Sequence, residues 1–542
     1  MKTYEALAKA FRANKVTTCF ALLGDANMHW AGALDALGVS FIYPRHEHAA
    51  VAAATAYARS TGRVGCASVT CGPGLTQVMT ILPIAVRAKV PLVVFAGEAP
   101  IRKAWYNQGI DHAPFVEACG AEYRSLQDPA TMIAEVNRAF ADALADGRPI
   151  VLGAPFDLQQ DAFEGPEPSP TPVEAATPKV PESAAIAEAA HWIAEAKRPV
   201  LIAGFGAVGA KDACVGLAER AGALLATTLP AKGLFRGHEY CLGVAGGYAS
   251  PEAKAIFKEA DLVIGVGARL ASHTFNSGSL TPDARVIHID LDPQEQVQGR
   301  KAADLLIAAD AQEGARALAA AITAQTGWRT DEAKAQAKAA TTLPDETETP
   351  DGALHPMAAV KQLAAIIPPE AHVVNTSGHC AYYTAQMNDH PQSHYTVMRD
   401  FGAIGNGTSF ALGIAAAYPD RPVVLIDGDG SALMHIQELE TMERHGLQVL
   451  VIVLNDGAYG SEVHKLKADG VSLAGSVFGR TQLAEVAKGF GLGGATVTSL
   501  DDMSRAAFEA FLASGKSALW DIHISGEIAS PQILKAHKAV HA

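Results

Sequence analysis

The sequence predicts an α/β protein of three domains, each with a mostly parallel sheet flanked by helices. Short apolar runs alternate with amphipathic or small-residue runs along nearly all of the 542 residues, the pattern of repeated βαβ units. Two polar stretches, 163–183 (FEGPEPSPTPVEAATPKVPES) and 329–355, interrupt that alternation, and such compositions read as interdomain linkers. The three blocks left between them are each about 150 residues, an ordinary domain size.

In order along the chain, residues 1–162 carry apolar strands at Thr18–Leu23, Gly65–Val69, Leu92–Ala96 and Ile150–Ala154. Residues 184–328 repeat the pattern at Val200–Ala203, Leu262–Val266 and Val286–Leu291. Residues 356–526 form the third block, and 527–542 a short tail. Composition narrows the class. Hydrophobic residues make up 49% and charged residues 18% of a chain with net charge −14 and no Lys/Arg block, which argues against nucleic acid or an anionic membrane as partner. No apolar run reaches the length of a membrane span. The N-terminus reads as an amphipathic helix, not a signal peptide. Seven scattered cysteines without a CxxC suggest a reduced, cytoplasmic protein.

The third block holds the stretch that organises the rest. Val423–Ile426 reads as a buried strand broken by Gly428-Asp429-Gly430-Ser431. Leu433, Ile436, Leu439 and Met442 then repeat at helical spacing up to Gly446. Leu447–Leu454 is a second strand, broken by Asn455-Asp456-Gly457-Ala458. The strands of a βαβ unit run parallel, so Asp429 and Asp456 share one sheet edge beside a helix N-terminus. Two oxygen ligands there suit a hard cation holding a phosphorylated ligand.

Asp456 lies 27 positions after Asp429, and the paired turns resemble the cofactor signature of thiamine-diphosphate (ThDP) enzymes. The resemblance, to the acetolactate synthase, pyruvate decarboxylase and benzoylformate decarboxylase superfamily, covers nearly the whole chain. It implies three Rossmann/flavodoxin-like domains. These are an N-terminal pyrimidine-binding domain (1–162), a central Rossmann-like domain (184–328) and a C-terminal diphosphate- and Mg²⁺-binding domain (356–526). ThDP and Mg²⁺ are the implied cofactors, with Asp429, Asp456 and the Ala458 carbonyl as metal ligands. Gly428, Gly430, Ser431, Tyr459 and the loop residues Ser377, Gly378 and His379 would surround the diphosphate. In Asp400-Phe401-Gly402-Ala403-Ile404-Gly405, the Gly402 carbonyl would accept the 4′-amino group and Ile404 would wedge between the cofactor's rings.

The N-terminal block supplies the other half of the resemblance. From the residues alone, Glu47 reads as a helix cap, and His46 and His48, two apart, cannot share a helix face to bind metal. Followed by Tyr57-Ala58-Arg59-Ser60-Thr61-Gly62, Glu47 resembles the Glu that hydrogen-bonds the aminopyrimidine ring, a role suited to a desolvated carboxyl. Thr70-Cys71-Gly72-Pro73-Gly74 resembles a turn lining the active-site cleft. Gly24-Asp25-Ala26-Asn27 resembles the acid turn of pyruvate and indolepyruvate decarboxylases, and Glu462 sits like their second catalytic Glu. Their adjacent His pair is replaced by Asn107-Gln108, with His112 nearby. Asp25 reads equally as a strand-end cap and Glu462 as an exposed surface residue.

The central block holds a formal GxGxxG at Gly204–Gly209, without the acid a dinucleotide fingerprint requires after the next strand. Gly267-Ala268-Arg269 and His288–Asp292 resemble acetolactate synthase motifs. Ala271 and His273 replace the acidic and basic residues that follow there, which argues against FAD or a nucleotide. The function implied is a 2-oxo acid decarboxylase/carboligase that cleaves and forms C–C bonds through an enamine. The alternatives are an acetolactate-synthase-like transferase or 2-hydroxyacyl-CoA-type lyase and, in a different class, a NAD-dependent oxidoreductase. Implied partners are a 2-oxo acid, an aldehyde or acyl acceptor, and a second copy of the chain. The resemblance implies a homodimer or homotetramer in which Glu47 of one chain meets Asp429 of another.

Overall fold

The computed structural model describes residues 1–169 and 177–533. Residues 170–176 of the first linker and 534–542 of the tail lie outside them. Three six-stranded sheets frame the molecule, every strand parallel to its neighbours. The first comprises β1 (Thr18–Ala21), β2 (Ser40–Ile42), β3 (Gly65–Val69), β4 (Leu92–Glu98), β5 (Glu122–Ser125) and β6 (Pro149–Pro155), in the order β2-β1-β3-β4-β6-β5. The second comprises β7 (Pro199–Ala203), β8 (Leu224–Thr227), β9 (Cys241–Val244), β10 (Leu262–Val266), β11 (Arg285–Asp290) and β14 (Leu305–Ala308). Its order is β14-β11-β10-β7-β8-β9, with a small antiparallel pair, β12 (Gln296–Val297) and β13 (Arg300–Lys301), at its margin. The third comprises β15 (His372–Asn375), β16 (Tyr395–Val397), β17 (Val423–Gly428), β18 (Val449–Asn455), β19 (Gly493–Val497) and β20 (Ala518–His523), in the order β16-β15-β17-β18-β20-β19.

The first and third sheets therefore wind identically. In each, the strand order reverses between its first and third strands; in the second sheet it reverses between β7 and β10. Such switch points open a crevice at the carboxyl ends of the strands, where α/β proteins bind ligands. The expected strands are all present. The ones the sequence hid are mostly at sheet edges, such as β2, β5 and β19, which are short and partly exposed.

Two expectations change. The second polar stretch is not wholly a linker, because a helix spans Asp331–Thr341. Its Ala333, Ala337 and Ala340 are buried with Trp328 and Phe257 of the central body, a stripe that polar neighbours disguise. The helix expected between β17 and Gly446 is three pieces: Asp429–Ala432, a 3₁₀ turn at Leu433–His435, and Glu438–Arg444.

The first and third domains share one core. The helix Glu47–Thr61 is buried along most of its length because its alanines allow close packing against the helix Gly407–Ala417. At Gly413 a Cβ would stand 2.1 Å from the Ala53 carbonyl oxygen, so only glycine fits that crossing. Arg45 closes the same junction with a two-pronged contact to Glu440, both oxygens at 2.6 Å, the favoured geometry for guanidinium and carboxylate. The second domain has its own core on both faces of its sheet.

Candidate active site

The loops after β15, β17 and β18 enclose a cleft at the third sheet's switch point. Ser377, His379, Ile404, Asp429, Asp456, Ala458, Tyr459 and Glu462 line it, together with Gly378, Gly428 and Gly430. β17 and β18 pair in register from Val423 opposite Val449 to Gly428 opposite Leu454, which brings the two acidic turns side by side. Asp429 Oδ1 accepts the Gly430 N–H at 2.9 Å and Oδ2 the Gly457 N–H at 2.8 Å. Burial pushes its carboxyl up to about 6. Asp456 is pushed up to about 8, by burial first and then by the charge of Asp429. Among the described residues no basic side chain pairs with either acid.

Two buried acids that oppose each other's ionisation are stabilised by a cation between them. Among the described residues no group of three or more His, Cys, Asp or Glu side chains forms a metal set. A hard cation here would use the two carboxylates, the Ala458 carbonyl and oxygens of the ligand itself, a donor set suited to Mg²⁺ with a phosphate. Ser377 Oγ is buried in the cleft without a hydrogen-bond partner. The residues present thus fit a diphosphate held through a divalent cation.

A second tier of contacts fixes this cleft. Buried Asp427 accepts hydrogen bonds from Thr376 Oγ1 at 2.9 Å and Ser431 Oγ at 2.8 Å. Ser431 Oγ also accepts the Gly405 N–H at 2.9 Å, while His435 Nδ1 bonds to the Gly405 carbonyl at 2.7 Å. Ser431, expected on the diphosphate, also lines the cleft, and its hydroxyl ties the Gly402–Gly405 loop, and with it Ile404, to the acidic turn. Gly402 has φ of +76°, a turn that favours glycine. His379 Nε2 accepts the Ser530 N–H at 2.9 Å, and burial lowers its ring to about 3, so it is neutral. It holds the segment after β20 against the cleft and leaves only Nδ1 for a ligand. The signal for Asp427 was available in sequence as a carboxylate at the end of an otherwise apolar strand.

The first domain gathers the remaining predicted residues around its own switch point. Asn27 folds the turn after β1, its Oδ1 accepting the Gly24 N–H at 2.8 Å and its Nδ2 reaching Ser68 Oγ at 2.9 Å. This ends β1 at Ala21 and turns Asp25 outward, where Tyr106 donates to it at 3.3 Å. Glu47 opens its helix, and burial raises its carboxyl above the usual range. The Gly74 turn lies against it: a Cβ at Gly74 would be in ordinary contact with Glu47 Oε1 at 3.7 Å, while Thr70 Cγ2, at 2.9 Å, is what crowds that position. Gly72 has φ of +61°, and a Cβ there would stand 2.2 Å from the Gln108 carbonyl oxygen.

His112, expected as a catalytic group, is buried behind that turn. Its Nε2 accepts the Gly72 N–H at 3.0 Å, and its Nδ1 faces the Tyr123 hydroxyl at 3.4 Å. Tyr123 in turn donates to Glu98, which also accepts from Ser125 at 2.9 Å. Burial lowers the His112 ring to about 4, so it stays neutral with both nitrogens engaged. It braces the turn, and Gln108, half-buried with its side-chain oxygen 3.5 Å from Cys71 Sγ, is the polar group beside the turn. Spacing alone could not separate these roles.

The structure thus makes two groups of the predicted residues. Asp429, Asp456, Ala458, Tyr459, Ile404 and Glu462 line one cleft, while Asp25, Glu47, Gly72, Gln108 and His112 cluster on the first domain. Among the described residues, none of the first domain lines the cleft within one chain.

Three parallel-sheet domains, with an acid-lined cleft at the third switch point, are the architecture of a ThDP-type enzyme. Models of the thiamine pyrophosphate enzyme match the chain in order: the N-terminal TPP binding domain at 1–115, the central domain at 186–318 and the C-terminal TPP binding domain at 376–522. The acetolactate synthase large subunit of Parasynechococcus marenigrum (strain WH8102) is 32% identical over 97% of this chain and 88% of that protein. The Haemophilus influenzae large subunit is 28% identical over 96% and 94%. Isozyme 2 of Escherichia coli (strain K12) is 31% identical over 83% and 82%. The chain belongs to the thiamine pyrophosphate enzyme family, within the acetolactate synthase and pyruvate decarboxylase superfamily. The family replaces the oxidoreductase alternative, and the relatives favour the synthase-type reading over the decarboxylase. Among the described residues no helix is long and apolar enough to cross a membrane.

Proposed function

We propose that the chain is a ThDP- and Mg²⁺-dependent carboligase of acetolactate-synthase type, transferring the acyl part of one 2-oxo acid to a second carbonyl compound. Near-full-length similarity to acetolactate synthase large subunits, in unbroken domain order, carries this reading. Bound ThDP supplies a nucleophilic carbon and an electron sink for loss of the carboxylate. Asp429, Asp456 and the Ala458 carbonyl would hold Mg²⁺ against its diphosphate, the Gly402 carbonyl would accept its amino group, and Ile404 would support its rings. Glu47, raised by burial, holds a proton at the aminopyrimidine ring, work that suits a carboxyl with a value nearer neutrality.

Because the cleft is lined without any first-domain residue, Glu47 is assigned to the site of a second copy. A homodimer is the smallest working unit, and a tetramer is two of these. Asp25, Tyr106 and Gln108 then face the acceptor, and Glu462, at the cleft on an exposed helix start, handles its proton. Asp25 and Glu462 together also support a second reading, protonation to release an aldehyde. A cytoplasmic location follows from a soluble-type composition and the small-molecule chemistry. The test is a panel of 2-oxo acids with and without ThDP and Mg²⁺, followed for carbon dioxide and for 2-hydroxy ketone. Ketone formation that depends on both cofactors is expected; turnover without them would refute the reading.

A further inference from the structure

The second domain has a switch point of its own, and its contents differ from those of the other two. The turns after β7 and β10 meet there backbone to backbone. The Gly206 N–H donates to the Gly267 carbonyl at 3.0 Å, the Gly204 N–H to Val266 at 2.8 Å and the Ala207 N–H to Gly204 at 3.0 Å. A Cβ at Gly204 would stand 2.2 Å from the Gly267 oxygen, and one at Gly267 2.5 Å from Ala207 N. A dinucleotide's pyrophosphate needs free amides and open backbone at this turn. Here three of the amides are already bonded and the two turns are packed together; the cavity in this domain, lined by Leu270, Phe275, Arg300 and Lys301, is not lined by the Gly204–Gly209 turn.

Three cationic residues, Arg59, Arg269 and Lys179, make further contacts along the same edge. The ring of Phe205, within the turn itself, lies under the guanidinium of Arg59, 3.2 Å from carbon to ring centroid. Arg59 comes from the far end of the Glu47 helix and also donates to the Ala88 carbonyl at 3.0 Å. Arg269, after β10, donates to the Arg87 carbonyl at 3.2 Å. Beyond β11 and β14, Lys179 reaches the Leu291 carbonyl at 3.1 Å, while its own carbonyl accepts the Asp310 N–H at 2.8 Å. Where a ribose-binding acid would follow β8, the chain reads Thr227-Thr228. The pyrophosphate of a dinucleotide does not fit this turn.

We propose that the carboxyl edge of the central sheet is a closed interdomain bearing, and that the enzyme works without FAD or any nucleotide in its central domain. The Phe205 turn grips Arg59 at one end of the helix whose other end carries Glu47. Arg87, whose carbonyl Arg269 holds, lies over the Phe401 ring at 4.5 Å, beside Gly402. The bearing therefore steadies both halves of the candidate site.

Two measurements on the full-length holoenzyme test this, and both read something other than turnover. Protein purified from flavin-replete cells is denatured and its supernatant assayed for flavin; the native protein is then titrated calorimetrically with FAD, FMN, NAD and ATP to about 1 mM. No released flavin and no saturable binding are expected. Stoichiometric flavin, or saturable binding of any of the four, overturns the proposal. ThDP titrated in the same samples reports the catalytic site separately. In the second measurement, Arg59→Ala should speed hydrogen exchange of the 204–210 amides by roughly tenfold or more, the loss expected for a desolvated cation–π contact. Unchanged protection there would overturn the bearing. Arg59→Lys, which keeps the charge, should exchange at a rate between the two.

Discussion

Two inactive variants of this chain should restore activity to each other when combined. Glu47→Gln removes the acid from the first-domain half of the site, and Asp429→Ala removes a cation ligand from the third-domain half. Among the described residues, the cleft around Asp429 is lined by the third domain alone, so a two-fold dimer would build each of its two sites from one half of each chain. A hybrid of the two variants then contains one site with both lesions and one with neither. With random assembly, half of the dimers are hybrids, and recovered activity should be about a quarter of wild type. The Glu47→Gln parent alone should be slowed by about 10²–10⁴-fold, the usual range for a general acid–base group, while still binding ThDP. Co-expression with two different affinity tags isolates the hybrid, which with one intact site of two should show about half of wild-type activity in a steady-state assay of product. A hybrid no more active than its parents would place both halves in one chain and refute the assembly argued here.

Other consequences follow from individual residues. Glu438 is fully buried at the first/third domain junction, accepting the Arg45 N–H at 3.1 Å and the Thr441 hydroxyl at 2.8 Å. Burial raises its carboxyl from an ordinary 4.5 to about 7. The folded form therefore keeps a proton that the unfolded chain releases, and stability is lost as pH rises between those two values, by roughly 3 kcal/mol in all. Glu438→Gln should narrow the gap between thermal midpoints at pH 5.5 and pH 8; an unchanged gap would exclude this carboxyl as the cause. Glu462→Gln should slow the steps after carbon dioxide release more than substrate binding, lowering kcat with little change in KM, and full activity on every accepted substrate would remove it from the proton path. Tyr123→Phe keeps the ring but cuts the link between His112 and Glu98, so it should loosen the Gly72 turn and weaken ThDP binding without changing the pH profile of turnover. A shifted profile would show that the link carries protons.

The main outline was legible because its physics is local. Apolar runs at Val423–Ile426 and Leu447–Leu454 could be nothing but buried neighbouring strands, so Asp429 and Asp456 had to meet at one edge. What could not be read were facts set by distant contacts. Ser431 lines the cleft beside its glycines, but that its hydroxyl bonds to Asp427 and Gly405 was not legible. His112 looks like half of a missing catalytic pair, yet Gly72 and Tyr123 engage both its nitrogens. The Asp331–Thr341 helix hides its buried alanines among charges. In each case the deciding partner lies far away in sequence or belongs to another element, where periodicity and spacing carry no information.

The most direct test of the central claim is the stoichiometry of 2-oxo acid turnover with ThDP and Mg²⁺ present. Carboligation consumes roughly two 2-oxo acid molecules for each carbon dioxide released, with the second retained as a 2-hydroxy ketone acid. Carbon-13 NMR of a labelled 2-oxo acid, with carbon dioxide trapped in parallel, measures that ratio. The account predicts a ratio near two, with the ligated product dominant. A ratio near one with free aldehyde as product would contradict it and make the chain a decarboxylase.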